Sequence, residues 1–133
     1  MRTLIVQSNY ALGEIWRGHL VRLGAEVSMA VDGFDAIAQI EETLFDAIVL
    51  DLMLEDGNAL SVADMAYFRQ PEANVIFVTN TTFFSDGSIF AHSGNARALV
   101  QSGTPPKDLA QIVYHYGNTP SRADEAPTSL VVD

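Results

Sequence analysis

Short apolar runs alternate with stretches of helical period along this chain. Leu4-Ile5-Val6 is β-rich and apolar on both sides, the mark of a buried strand. Leu12, Ile15, Trp16, Leu20 and Leu23 then fall near one face of a helix, which Gly24 ends. Residues 26–31 predict a second strand, with Val27, Met29 and Val31 alternating. Asp32-Gly33 supplies a turn, and Phe34, Ile37, Ala38, Ile40 and Leu44 mark a second helix.

Residues 46–51 form a third strand, apolar on both faces and closed by Asp51. A loop over 52–57 leads to Asn58, a helix cap, and to a helix over 59–69 that stops before Pro71. Residues 74–79 give a fourth strand. A weak helix is expected over 82–93, where Gly87 costs about 1 kcal/mol against alanine. Residues 96–101 give a fifth strand. Thr104 is expected to cap the last helix, with Pro105 or Pro106 in its first position. Leu109, Ile112, Val113 and Tyr116 then form an amphipathic stripe that ends at Gly117.

Five strands alternating with five helices predict a parallel sheet covered on both faces. The 133 residues suit one domain over 1–117, followed by a flexible polar tail over 118–133. Apolar residues at 48% and charged ones at 18% fit a packed core rather than a disordered chain. The absence of cysteine excludes disulfides, thiol nucleophiles and cysteine-ligated zinc. Seven basic against seventeen acidic residues give a net charge of −10, which repels phosphate backbones and anionic membranes. Nucleic acid and membrane are therefore not expected partners. No apolar run nears the roughly 20 residues of a membrane span, and no signal peptide is recognisable. A cytoplasmic setting is expected.

Parallel sheets place their sites beyond the carboxyl ends of the strands. Those ends are Gln7, Ser8 and Asn9, then Asp51, then Thr79 and Asn80, then Gln101, Ser102 and Gly103. One carboxylate, several hydroxyls and several amides converge there. His19, His92 and His115 are scattered without metal-ligand spacing. No Walker, GxGxxG or G-x-S-x-G pattern occurs, which argues against nucleotide binding and against a serine hydrolase.

At residues 2–117 the chain resembles a response-regulator receiver domain of the CheY-like superfamily. Thr3-Leu-Ile-Val, Val31-Asp-Gly-Phe-Asp-Ala36 and above all Ile48-Val-Leu-Asp-Leu-Met-Leu54 carry the resemblance, with Thr79 after an apolar fourth strand. It implies a doubly wound α/β sandwich, (βα)₅, with a five-stranded parallel sheet in the flavodoxin-like order 2-1-3-4-5. It also implies a signalling module rather than an enzyme, taking a phosphoryl group from a histidine kinase or phosphotransferase. Asp51 matches the phosphoacceptor, and Thr79 matches the hydroxyl that contacts the phosphoryl group.

The resemblance is incomplete. The family's acidic pair falls on Gln7 and Ser8. Its lysine-proline falls on Gln101-Ser102, or on Ser102-Gly103. The proline after the acceptor loop is Glu55, the next glycine is Ala59, and the strand-five aromatic is Ala98 or Leu99. A Mg²⁺ site would rest on Asp51 and the backbone carbonyl of Met53, with Glu55 or Asp56 reaching in from the loop, so weak binding is expected. The expected output is docking onto a downstream protein or a second copy of the chain, because no output domain follows residue 117. Phe83, Phe84 and Phe90, with Tyr114, are the expected interface. The alternative reading is an interaction module that works without phosphorylation.

Overall fold

A computed structural model of the chain describes residues 1–80 and 94–119, and the backbone of 131–132. The helix expected over 82–93, and with it Phe83, Phe84 and Phe90, lies outside the described residues. Strands β1 (Arg2–Val6), β2 (Glu26–Ala30), β3 (Ala47–Asp51), β4 (Asn74–Thr79) and β5 (Ala96–Gln101) alternate with helices α1 (Tyr10–Arg22), α2 (Gly33–Glu42), α3 (Ala59–Arg69) and α4 (Pro106–Gly117). The five strands are all parallel, in the order 2-1-3-4-5. A sixth strand, β6 (Val131–Val132), lies parallel to β5 opposite Leu99 and Val100, in a segment whose sequence reads as polar tail.

Burial on both sides explains the unbroken apolar strands. Leu4, Val6, Ile48, Leu50, Val75 and Phe77 point to one core, against Ala36 and Ile40 of α2 and Val62, Ala63 and Ala66 of α3. Ile5, Val49, Ile76, Val78, Ala98 and Val100 point to the other, against Trp16 and Leu20 of α1 and Leu109 and Val113 of α4. Each Val, Leu, Ile or Phe side chain among them contributes roughly 1.5–3 kcal/mol by leaving water. Helix α2 departs from its sequence pattern: Ala36 and Ile40 are buried, while Phe34 is 78% and Leu44 76% exposed. Apolar type alone therefore misplaces three of its five marker residues, because Ala38 is exposed as well and Leu44 lies beyond the end of the helix.

The caps also differ from expectation. Asn9 and Asp32 cap α1 and α2 by accepting from the amides of Leu12 and Asp35. Asn58 stands at the start of α3 without a side-chain cap. Pro105, not Thr104, precedes α4, and the Thr104 hydroxyl is buried without a hydrogen-bond partner. Pairing of β4 with β5 carries a bulge: Val75 faces Ala96 and Ile76 faces Ala98, which leaves Arg97 as the extra residue.

At the amino ends of the strands, Gln70 acts as a staple. Its amide donates to the carbonyls of Ile40 and Thr43, and its oxygen accepts from the Phe45 amide at 2.9 Å. Asn95 donates back to the Gln70 carbonyl. At the opposite end, Gly33 opens α2 so close to the loop after β3 that a Cβ there would meet Asn58 Cβ at 2.5 Å. The Asp56 carboxylate accepts from the Gly33 amide at 2.7 Å, which fixes that loop against α2.

Candidate functional site

Strand register builds the site. Val6 pairs with Leu50, so the next residues, Gln7 and Asp51, are neighbours on adjacent parallel strands. Asp51 in turn pairs with Val78, one residue before Thr79. The Leu52 amide continues this ladder by donating to the Val78 carbonyl at 2.8 Å. Thr79 pairs with Gln101, which closes the row of strand ends. Of the two alignments open for the fifth strand, this register puts Gln101 rather than Ser102 beside Thr79. The Ser102 amide donates to the Thr79 carbonyl at 2.8 Å.

Asp51 is half-buried. Its Oδ1 accepts from the Met53 amide at 2.9 Å. Burial holds its carboxyl above the usual aspartate range, and hydrogen bonds from the Met53 amide and the Gln7 side chain oppose that shift. Gln7 is itself buried, and its Oε1 accepts from the Asn9 amide at 3.0 Å. An amide proton can only be received by the oxygen end, so the NH₂ end is the one turned to Asp51. Ser8 Oγ accepts from the Glu55 amide at 3.0 Å and joins two loops 47 residues apart in sequence.

Sequence reasoning did not reach the particular partners in three of these contacts. Ser8 binds the Glu55 main chain, a tertiary contact with no local signal. Gln7 contacts the acceptor directly. Asp56, expected as an acid able to reach the pocket, is committed elsewhere: both its oxygens are taken by the amides of Gly33 and Asn58, which hold its carboxyl below the ordinary range. Gly57, in the left-handed conformation at φ 73°, supplies the loop's glycine two residues before Ala59. Lys107 lines a small cavity with His19, Arg22 and Leu23. Tyr114 is partly exposed on the outer side of α4.

A divalent cation fits these residues poorly. The carboxylate of Asp51 is the one charged donor at the ends of β1, β3, β4 and β5, and Gln7 and Ser8 are neutral, with their oxygens on backbone amides. Among the described residues, no group of three or more His, Asp or Glu side chains could hold a metal.

No protein-family model matches the chain. It is 28% identical over 75 residues, 56% of its length, to the regulatory protein LuxO of Vibrio vulnificus, and the match spans 17% of that protein. A CheY-like response regulator receiver domain from Methanospirillum hungatei superposes with a TM-score of 0.78, at 25% identity, over 88% of this chain and 93% of that one. The receiver domain of a sensor histidine kinase from Pseudomonas aeruginosa, solved with magnesium in its active-site cleft, gives a TM-score of 0.71 at 20% identity, over 89% and 98%. The chain thus has the fold of response-regulator receiver domains, with Asp51 and Thr79 at the ends of adjacent central strands. No helix among the described residues is long and apolar enough to cross a membrane.

Proposed function

We propose that this receiver domain works in two-component signal transduction with Asp51 as phosphoacceptor, and that its output is docking onto another protein. The observation that carries the reading is the half-buried Asp51 carboxylate at the end of central strand β3, one residue out of register from Thr79. A carboxylate oxygen of Asp51 attacks phosphorus, an acyl phosphate forms, and the bond from phosphorus to the donor's leaving group breaks. From a phosphohistidine the leaving group is imidazole, which takes up a proton. Thr79 is proposed to contact a phosphoryl oxygen through its hydroxyl. Gln101 stands where a cation would pair with another, and it offers only a neutral amide.

The partners proposed are a histidine kinase or phosphotransferase upstream and a protein, or a second copy of this chain, downstream. Tyr114 on α4 is offered as part of that surface. Net charge of −10 argues against nucleic acid. The proposed setting is the cytoplasm, and the role is that of a signalling module rather than an enzyme. Magnesium binding is proposed to be weak, through Asp51 and the Met53 carbonyl.

A second reading is favoured by the neutral residues around Asp51. Each missing charge-assisted contact removes roughly 1.5–3 kcal/mol from a bound anion. Two such losses slow transfer or lower occupancy by two or more orders of magnitude. The domain then signals by contact alone. Intact-mass measurement after incubation with a small phosphodonor, beside Asp51→Asn, decides between the two. A slow, partial gain of one phosphoryl mass that Asp51→Asn abolishes supports the first reading. No gain under any donor leaves the second, and a gain that survives Asp51→Asn removes Asp51 as the acceptor.

A further inference from the structure

By the resemblance to receiver domains, a cation here would join the acidic-pair positions after the first strand, the acceptor carboxylate and the Met53 carbonyl in the loop after the third strand. In this chain those joints are made by uncharged groups. Gln7 at the end of β1 turns its NH₂ to the Asp51 carboxylate at the end of β3, while the same side chain's oxygen holds the Asn9 amide. Ser8 takes the Glu55 amide and so ties the β1–α1 loop to the β3–α3 loop. Asn9 then caps α1 through the Leu12 amide, so the contacts run unbroken from Asp51 to a helix.

Two features indicate a built arrangement. Gln7 is 4% exposed, where an amide oxygen left unpaired would be costly, and that oxygen is paired with the Asn9 amide. Ser8 spans two loops 47 residues apart in sequence to hold the Glu55 amide at 3.0 Å. Gln7 and Ser8 each hold a backbone amide with their oxygen, and neither brings the charge that hard oxygen sites use to bind a divalent cation.

We infer that Gln7 and Ser8 take the place of the divalent cation, as resident hydrogen-bonding groups that hold the Asp51 pocket in its assembled form. The inference rests on the receiver reading of this pocket but not on phosphorylation. Gln7 acts as a positioning residue for the carboxylate, and Ser8 for the loop that follows it. Magnesium therefore changes neither the stability of the protein nor the closure of the loop.

The test uses thermal unfolding and amide hydrogen exchange on the full chain, in about 10 mM magnesium chloride or in EDTA at matched ionic strength. A site with a dissociation constant near 0.1 mM would raise the midpoint by several degrees under these conditions. The expected result is a shift below about 1 °C, and a Glu55 amide equally protected with and without magnesium. Ser8→Ala should speed exchange at Glu55 about tenfold. Gln7→Glu replaces the donor facing Asp51 with a second carboxylate; it should lower the midpoint in EDTA and recover it with magnesium. Gln7→Met, which removes the amide without adding charge, should lower the midpoint with no recovery. A magnesium-dependent rise of several degrees in the unaltered protein, or protection of Glu55 that appears only with magnesium, overturns the inference. So does a Gln7→Glu variant indifferent to magnesium. Failure of the phosphodonor reaction alone leaves these readouts in place and counts only against Asp51 as acceptor.

Discussion

The two ends of the sheet are both laced by side-chain amides, yet they do opposite things. At the amino ends, Gln70 is buried and satisfied on both sides by Ile40, Thr43 and Phe45. Asn74 adds bonds to the carbonyls of Asp46 and Thr119. A cavity of about 500 Å³ beside this network is lined by Leu44, Arg69, Gln70, Asn74 and Gly117. At the carboxyl ends, Gln7 and Ser8 reach across to Asp51 and Glu55, but Asp51 stays half-open and its loop is exposed. One end closes its polar groups away from water. The other leaves a carboxylate accessible and holds it in position. The cavity therefore lies at the end of the sheet away from Asp51.

Breaking the closed end should have the largest effect. Gln70→Ala orphans the buried amide of Phe45 and two carbonyls, at about 1–3 kcal/mol for each group left unpaired. Urea unfolding should show a loss of about 3 kcal/mol or more. A loss under 1 kcal/mol would mean that water replaces the staple and that the two ends are alike. Next comes the contact at the open end that is made by main chain. Gly33→Ala drives a methyl into Asn58 and should cost about 1–3 kcal/mol. Adding Asn58→Gly should return most of that, and no recovery would place the strain elsewhere.

Asp51 itself should respond with the opposite sign. Its carboxyl is raised in the folded state, so the folded protein binds the proton more tightly than the unfolded chain. Ionisation therefore erodes stability as pH rises from the ordinary aspartate range through the raised folded value. Asp51→Asn should raise the midpoint by a few degrees at pH 7, and the gain should fade as pH falls toward about 4 and below. A variant equally stabilised at both extremes would disprove the ionisation account. The smallest effect belongs to Ser8→Ala, at about 1 kcal/mol or less, because the bond it removes is near the surface.

The contrast also explains what could be read in the sequence. Buried strands announce themselves because both neighbouring residues must be apolar, and β3, β4 and β5 begin and end within a residue of expectation. Asp51 stands out as an acid closing such a run. The helices are less legible: Phe34, Ala38 and Leu44 obey the period expected of the second helix but face water, and Leu44 lies beyond its end. The roles of Gln70 and the partner of Ser8 are invisible, since each side chain acts on backbone at least 25 residues away. The bulge at Arg97 explains the ambiguity over Gln101 and Ser102, because an extra residue in a strand shifts any count along it.

Gly57 carries one more consequence. Its backbone is left-handed at φ 73°, and nothing lies within 4 Å of where a Cβ would stand. That is the geometry of a mirror-image residue. L-alanine there strains the loop by about 1–2 kcal/mol, whereas D-alanine, introduced by chemical synthesis, fits without contact. The D-residue removes conformations only from the unfolded chain. It would stiffen the loop that bears Met53 and Glu55 while leaving every atom around Asp51 as it is, so chirality becomes a handle on the loop's freedom that no ordinary substitution offers.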